Sequence, residues 1–232
     1  MPDLNESERQ TRKQRIDPLL NDATWQIVEH DPVQPTVALT RHAVREFPTD
    51  NGPADYALFV DGQLLGIVEA KKLTLGPQGV LIQAERYSKG VADSPFNFRG
   101  FRVPFLYSTN GEVIWFHDIR EELSSSRQIA EFHTPGALRE MLSRDFGLAS
   151  QSLAELPNDQ PKLRDYQKLA NTETEKAIAQ HKRQMLIAMA TGTGKTFTLV
   201  NQCYRLLKSQ TAKRILFLVD RRALATQAVR AY

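Results

Sequence analysis

The chain has a single cysteine, Cys203, so no internal disulfide can form, which fits a reducing compartment. No apolar run approaches the roughly 20 residues that a membrane helix needs, so a helical span and a membrane partner are excluded. A surplus of charge is also missing: 25% of the 232 residues are charged, yet the net charge is only +3. Contact with a polyanion would therefore have to come from a local basic patch rather than from bulk charge. The first residues, MPDLNESERQTRKQR, are polar and carry acids, unlike a signal or transit peptide. The expected compartment is the cytoplasm. Repeats and low-complexity tracts are absent as well. What remains is an ordinary globular composition, long enough for two domains.

Residues 4 to 25 read as a polar start and an amphipathic helix, with Ile16, Leu19 and Leu20 at helical spacing and Pro18 near an end or a kink. An extended stretch follows from Trp25. The apolar runs 56–60 (YALFV) and 63–69 (QLLGIVE) flank Asp61-Gly62, a strong hairpin signal, so Asp55 opens one strand and Glu69 closes its antiparallel partner. Residues 78–90 are expected to be helical. Asn110-Gly111, between 103–109 and 113–117, predicts a second hairpin of the same type, and 135–146 a helix with Pro135 in its first turn. The Gly, Ser, Asn and Pro content of 147–162 marks a linker. Beyond it, a helix over 163–181, a strand over 185–189, a glycine loop, a helix over 195–208, a strand over 214–219 and a helix from about 222 make a βαβ unit with an expected right-handed crossover. The expected domains are thus 1–146 and 163–232, joined by 147–162.

The loop Met189 to Thr196, MATGTGKT, lies between an apolar strand signal and a helix. Thr191-Gly192-Thr193-Gly194 lets backbone N–H groups curl around an anion, and the helix N-terminus adds positive potential. Lys195 would reach the β and γ phosphates of ATP, and Thr196 would offer its hydroxyl to Mg²⁺. Met189 stands where the fuller G-x-x-x-x-G-K-[ST] string has its first glycine. The stretch resembles motif I of superfamily 2 helicases and translocases, and implies the first part of a RecA-like P-loop lobe. Leu163-Arg164-Asp165-Tyr166-Gln167 resembles the adenine-reading segment of that superfamily, which implies Gln167 as the adenine contact. Arg214 to Gln227, RILFLVDRRALATQ, resembles the next strand and motif Ia, which implies Arg221, Arg222 and Gln227 at a DNA backbone. No Asp-Glu-x-x box follows before Tyr232, so the chain is expected to be a piece of a longer polypeptide that does not hydrolyse ATP by itself.

Asp55 and Glu69 are placed side by side by the first hairpin, so their carboxylates can converge on one ion. Glu69 and Lys71 are two apart and share a strand face, which brings an ammonium to the same place. Oxygen ligands of this kind suit Mg²⁺ or Mn²⁺, and such an ion can polarise a phosphodiester. Asp55 with Glu69-Ala70-Lys71 resembles the PD-(D/E)xK nuclease core, although Ala54 separates Pro53 from Asp55. That resemblance implies a restriction-endonuclease-like α/β domain, a mixed sheet with flanking helices. Gln83-Ala84-Glu85-Arg86-Tyr87 resembles the Gln-x-x-x-Tyr motif of a subset of these nucleases. Gln83 and Tyr87 are i and i+4, on one helix face expected to turn toward the metal site. Glu8 matches the family's first-helix glutamate loosely, and a solvated helix face is the other reading of it.

The order of these motifs, with TNGEVIWFHD (109–118) and TRKQRIDPLLNDATW (11–25), resembles the R subunit of type I restriction enzymes over essentially the whole chain. The resemblance implies an ATP-dependent translocase that cleaves unmodified double-stranded DNA far from its recognition site. It implies Mg²⁺ and ATP as cofactors, and methylation and specificity subunits as partners. Two other readings compete: a motor fragment whose nuclease-like domain only binds DNA or docks a subunit, and a non-catalytic assembly domain.

Overall fold

The computed structural model describes residues 7–71, 81–122 and 124–218, and divides into two compact units, residues 1–144 and 145–232. In the first unit, helix α1 (Glu8–Thr11) runs into a π-helical turn (Arg12–Ile16) and helix α2 (Asp17–Asp22), with Pro18 in the first turn of α2. A seven-stranded sheet follows in chain order: β1 (Gln26–Glu29), β2 (Arg41–Phe47), β3 (Ala54–Val60), β4 (Gln63–Ala70), β5 (Phe105–Thr109), β6 (Ile114–Asp118) and β7 (Arg127–Ile129). The β1/β2 and β4/β5 pairs are parallel and the other four antiparallel. The parallel β4–β5 crossover carries helix α3 (Leu81–Lys89), and α4 (Pro135–Leu142) follows β7 with Thr134 as its N-cap.

Strand β3 is buried along its whole length, and β4 at all but its first residue. That is why their sequences are near-continuous apolar runs: the sheet is covered on both faces. One face carries Tyr56, Leu58, Val68, Phe105, Tyr107 and Phe116 against Ile16, Leu20 and Leu138. The other carries Ala57, Phe59, Ile67 and Leu106 against Ala84, Tyr87 and Val91. Each large apolar side chain buried this way contributes roughly 1.5–3 kcal/mol.

The two hairpins differ. Asp61 (φ +49°) and Gly62 (φ +79°) both take the left-handed conformation that a two-residue β-hairpin turn demands. At Asn110-Gly111 only the glycine does, with φ +84°. Thr109 pairs with Ile114, leaving a four-residue loop in which Asn110 Oδ1 accepts from the N–H groups of Glu112 and Val113. The expectation of a second turn of the same type is therefore corrected: the asparagine side chain closes this loop in place of a second positive φ.

The second unit contains α5 (Phe146–Glu155), α6 (Asp165–Ala179) and α7 (Lys195–Lys208). Helix α5 occupies most of the segment expected to be linker. Asp145 caps it by accepting from the Leu148 N–H, and Leu153 anchors it, so a small-residue composition still folds once its apolar positions find a partner. Arg205 ties the three helices: it binds Glu175 through two nitrogens, at 2.6 and 2.9 Å, and donates to the carbonyls of Leu156 and Pro157 beyond the end of α5. The strands expected over 185–189 and 214–219 are not formed in the described residues: 185–189 and 214–218 are irregular. Leu186, Leu216 and Leu218 are exposed. A parallel strand needs a neighbour for its ladder, and among the described residues of this unit no strand lies beside either segment. The βαβ crossover is accordingly not seen. Residue 219, the helix from about 222, and Arg221, Arg222 and Gln227 lie outside the described residues. Among those described, no helix is long and apolar enough to cross a membrane.

Candidate active site

The β3/β4 ladder pairs Tyr56 with Val68, a register that carries Asp55 opposite Glu69. Cross-strand neighbours of this kind have Cβ atoms about 4.5–5.5 Å apart on one face of the sheet. Alternation fixes which face: Asp55 is two residues from Ala57 and Glu69 two from Ile67, so both acids turn to the face on which α3 packs. Lys71 Nζ donates to Glu69 Oε1 at 2.7 Å, with Glu69 only 3% exposed. Asp55 Oδ2 accepts from the Ala70 N–H at 2.7 Å, which fixes this carboxylate against the end of β4. The hairpin thus brings Asp55, Glu69 and Lys71 together.

Gln83 and Tyr87 lie on α3, one turn apart, and Gln83 Nε2 donates to the Tyr87 hydroxyl at 3.2 Å. Tyr87 is buried in the core on that face, and α3 packs against β4 and β5. The segment 72–80 is outside the described residues. Glu8 is the first residue of α1, and its side chain is outside the described set.

One participant was not singled out in the sequence. Arg12 Nη1 donates to Asp55 Oδ1 at 2.8 Å and also to Glu46 Oε1. Burial alone would lower the pKa of this guanidinium, but its hydrogen bond to Glu46 and the charge of Asp55 hold it above the usual arginine value. The signal available was the basic run TRKQR on the first helix. Nothing in that run says which residue reaches the sheet.

Among the described residues no group of three or more His, Cys, Asp and Glu is placed to hold a metal ion. Two carboxylates are sufficient for Mg²⁺, which commonly uses one or two together with waters and substrate phosphates. The donor set of Asp55 and Glu69 fits that ion, with oxygens only and no thiolate or imidazole.

In the second unit the loop before α7 is closed on itself. Lys195 Nζ donates to the carbonyls of Met189 and Ala190 at 3.0 and 3.1 Å, and Thr193 Oγ1 to Ala190 at 2.7 Å. Gly192 and Gly194 have φ of +79° and +82°. The buried amide of Gln167 reaches the same loop: Nε2 donates to the carbonyls of Thr193 and Gly194, and Oε1 accepts from the Arg164 N–H. The Tyr166 hydroxyl donates to Thr193 as well. Gln167, Thr193, Gly194 and Lys195 are therefore brought together. Thr191 and Gly192 are exposed, and Thr196 is half-buried in the first turn of α7.

The first unit thus carries paired acids and a lysine at one strand end, and the second a glycine loop whose lysine turns back onto its own carbonyls. Comparison with known proteins places this chain among relatives. Residues 30–142 match the family described as the type I restriction enzyme EcoKI endonuclease subunit second domain, and residues 160–232 the type III restriction enzyme, res subunit. The EcoKI endonuclease subunit of Escherichia coli K12 is 34% identical over 99% of this chain and 24% of that subunit. The EcoAI endonuclease subunit of Escherichia coli is 31% identical over 75% of the chain and 22% of that subunit. A solved fragment assigned to an HsdR subunit of a type I restriction enzyme from Vibrio vulnificus YJ016 is 23% identical. It covers 88% of this chain and 38% of its own, with a TM-score of 0.42, too low to bear on the fold. The chain belongs to the family of type I restriction enzyme endonuclease subunits, with a helicase-like region in its second unit. It spans about a quarter of the length of the curated relatives it matches.

Proposed function

We propose that the first unit is a Mg²⁺-dependent DNA nuclease centre of the PD-(D/E)xK kind, and that the second is the start of a RecA-like, ATP-binding motor lobe. In the whole subunit the two would form an ATP-dependent translocase acting on double-stranded DNA with methylation and specificity subunits. The observation that carries this reading is Asp55 facing Glu69 across the β3/β4 ladder with Lys71 paired to Glu69.

Bound there, the ion would polarise the scissile phosphodiester and lower the pKa of an attacking water. Asp55 and Glu69 would hold the cation. Ala70 N–H fixes Oδ2 of Asp55, and Arg12 holds Oδ1. Lys71, held by Glu69 on the same face, supplies positive charge near the developing oxyanion. Gln83 and Tyr87, joined by their own hydrogen bond, orient the lysine or a phosphate from α3. In the second unit, Lys195 leaves the carbonyls of Met189 and Ala190 for the β and γ phosphates of ATP. Thr191 to Gly194 would wrap the phosphates, Thr196 would offer its hydroxyl to the Mg²⁺ of the nucleotide, and Gln167 would read the adenine. Arg221, Arg222 and Gln227 contact the DNA backbone.

The test separates the two chemistries in the full-length subunit within its assembled complex. Glu69→Ala should abolish DNA cleavage and leave translocation intact. Lys195→Ala should end ATP hydrolysis and translocation, and with them cleavage, because one charge-assisted contact to phosphate is worth about 1.5–3 kcal/mol. Cleavage at the wild-type rate by Glu69→Ala would sink the nuclease assignment, and normal ATP hydrolysis by Lys195→Ala would sink the other.

A further inference from the structure

Arg12 takes no part in the chemistry above, yet it sits on one of the two carboxylates that the chemistry needs. A single nitrogen, Nη1, donates both to Asp55 Oδ1, at 2.8 Å, and to Glu46 Oε1. The second oxygen of Asp55 is already fixed by the Ala70 N–H. The other oxygen, Oδ1, is the one that Arg12 occupies. The Arg12 and Asp55 side chains are only 19% and 12% exposed, so solvent screens the pair poorly. A divalent cation on Oδ1 with the guanidinium still at hydrogen-bonding distance would be strongly repelled.

Glu46 supplies the way out. The register that pairs Arg45 with Tyr56 and Phe47 with Ala54 carries Glu46 opposite Asp55, and its side chain is half exposed. The guanidinium can release Asp55 and keep a carboxylate partner. Local backbone supports a device rather than an incidental surface pair. Arg12 is the first residue of the π-helical turn Arg12–Ile16, a widened turn that recurs at functional sites. Glu46 has φ +50°, a left-handed conformation that a strand residue rarely keeps without a reason.

We propose that Arg12 is a latch on the cation site, a positioning residue that holds Asp55 until an ion arrives and then passes to Glu46. This rests on Asp55 and Glu69 being the ion-holding carboxylates. The latch prevents two buried acids from repelling one another in the empty centre, and makes ion loading depend on the movement of one side chain.

The test is titration calorimetry of the 232-residue chain with MnCl₂. Arg12→Ala should bind Mn²⁺ about tenfold more tightly than wild type, equivalent to about 1.4 kcal/mol. Glu46→Gln, which leaves the guanidinium only Asp55, should weaken binding. The double variant should match Arg12→Ala, because Glu46 acts only through Arg12, whereas a pure charge effect would leave the two changes additive. If Arg12→Ala fails to fold, Glu46→Gln still decides: unchanged or tighter Mn²⁺ binding contradicts the latch. Wild-type binding that Asp55→Asn abolishes but Arg12→Ala does not tighten overturns the latch alone. No Asp55-dependent binding in any variant overturns the cation site with it.

Discussion

The Gln167 amide fills the space that a side chain at position 194 would need: a Cβ built on Gly194 would lie 2.5 Å from Gln167 Nε2. Gln167 and the glycine loop are therefore one packed unit, joined through the carbonyls of Thr193 and Gly194.

Gly194→Ala should strain this junction twice, through the collision with Gln167 and through a φ of +82°. The left-handed conformation alone costs a residue with a Cβ roughly 1–2 kcal/mol. Thermal denaturation should show at least that loss, and binding of a fluorescent ATP analogue should weaken. Unchanged stability and affinity would mean that Gln167 does not hold the loop.

Glu175→Ala should be far more damaging than its sequence position suggests. It removes the carboxylate that neutralises Arg205, a guanidinium whose side chain is 4% exposed. Breaking a buried pair from one side costs about 3–5 kcal/mol. Glu173→Ala, which breaks the exposed pair with Lys176, should cost under about 1 kcal/mol. Urea denaturation of the two variants should reproduce that contrast.

His133 makes the first unit sensitive to acid. Burial, with the nearby charge of Arg127, pushes its pKa down to about 4, and Asp118 opposes this only in part. The ring nitrogen Nδ1 shares a hydrogen bond with the Tyr107 hydroxyl at 2.8 Å, and the His133 carbonyl accepts from the Trp25 indole. The unfolded chain protonates this histidine near pH 6.5, whereas the folded chain resists protonation until about pH 4. Between these values the unfolded state binds more protons, so stability falls as the pH falls through that window. His133→Gln should flatten this part of the stability–pH curve. An unaltered slope would place the acid sensitivity elsewhere, in the carboxylates.

What could be read in the sequence was local. Asp61-Gly62 specifies its own turn, and the apolar runs on either side leave β3 and β4 only one sensible register, so Asp55, Glu69 and Lys71 were visible as a group. Helices α6 and α7 follow from apolar spacing and from the glycine that precedes Lys195. Other features depend on contacts that no local pattern encodes. Helix α5 forms in a Gly/Ser-rich stretch because Leu153 is buried and Arg205 ties down its end. Residues 185–189 carry the right apolar pattern for a strand, but a pattern does not supply the neighbouring strand. Arg12 was one of several basic residues on a helix, and only the fold shows that it is the one reaching Asp55 and Glu46.

The proposed nuclease chemistry stands on Asp55 and Glu69 together holding one divalent ion. Anomalous scattering from crystals of the chain soaked in Mn²⁺ tests it most directly. One strong peak is expected at coordination distance, about 2–2.5 Å, from an oxygen of each carboxylate, absent from Asp55→Asn crystals. A peak that touches neither acid, or no peak at a Mn²⁺ concentration that saturates known Mg²⁺-dependent nucleases, would contradict it.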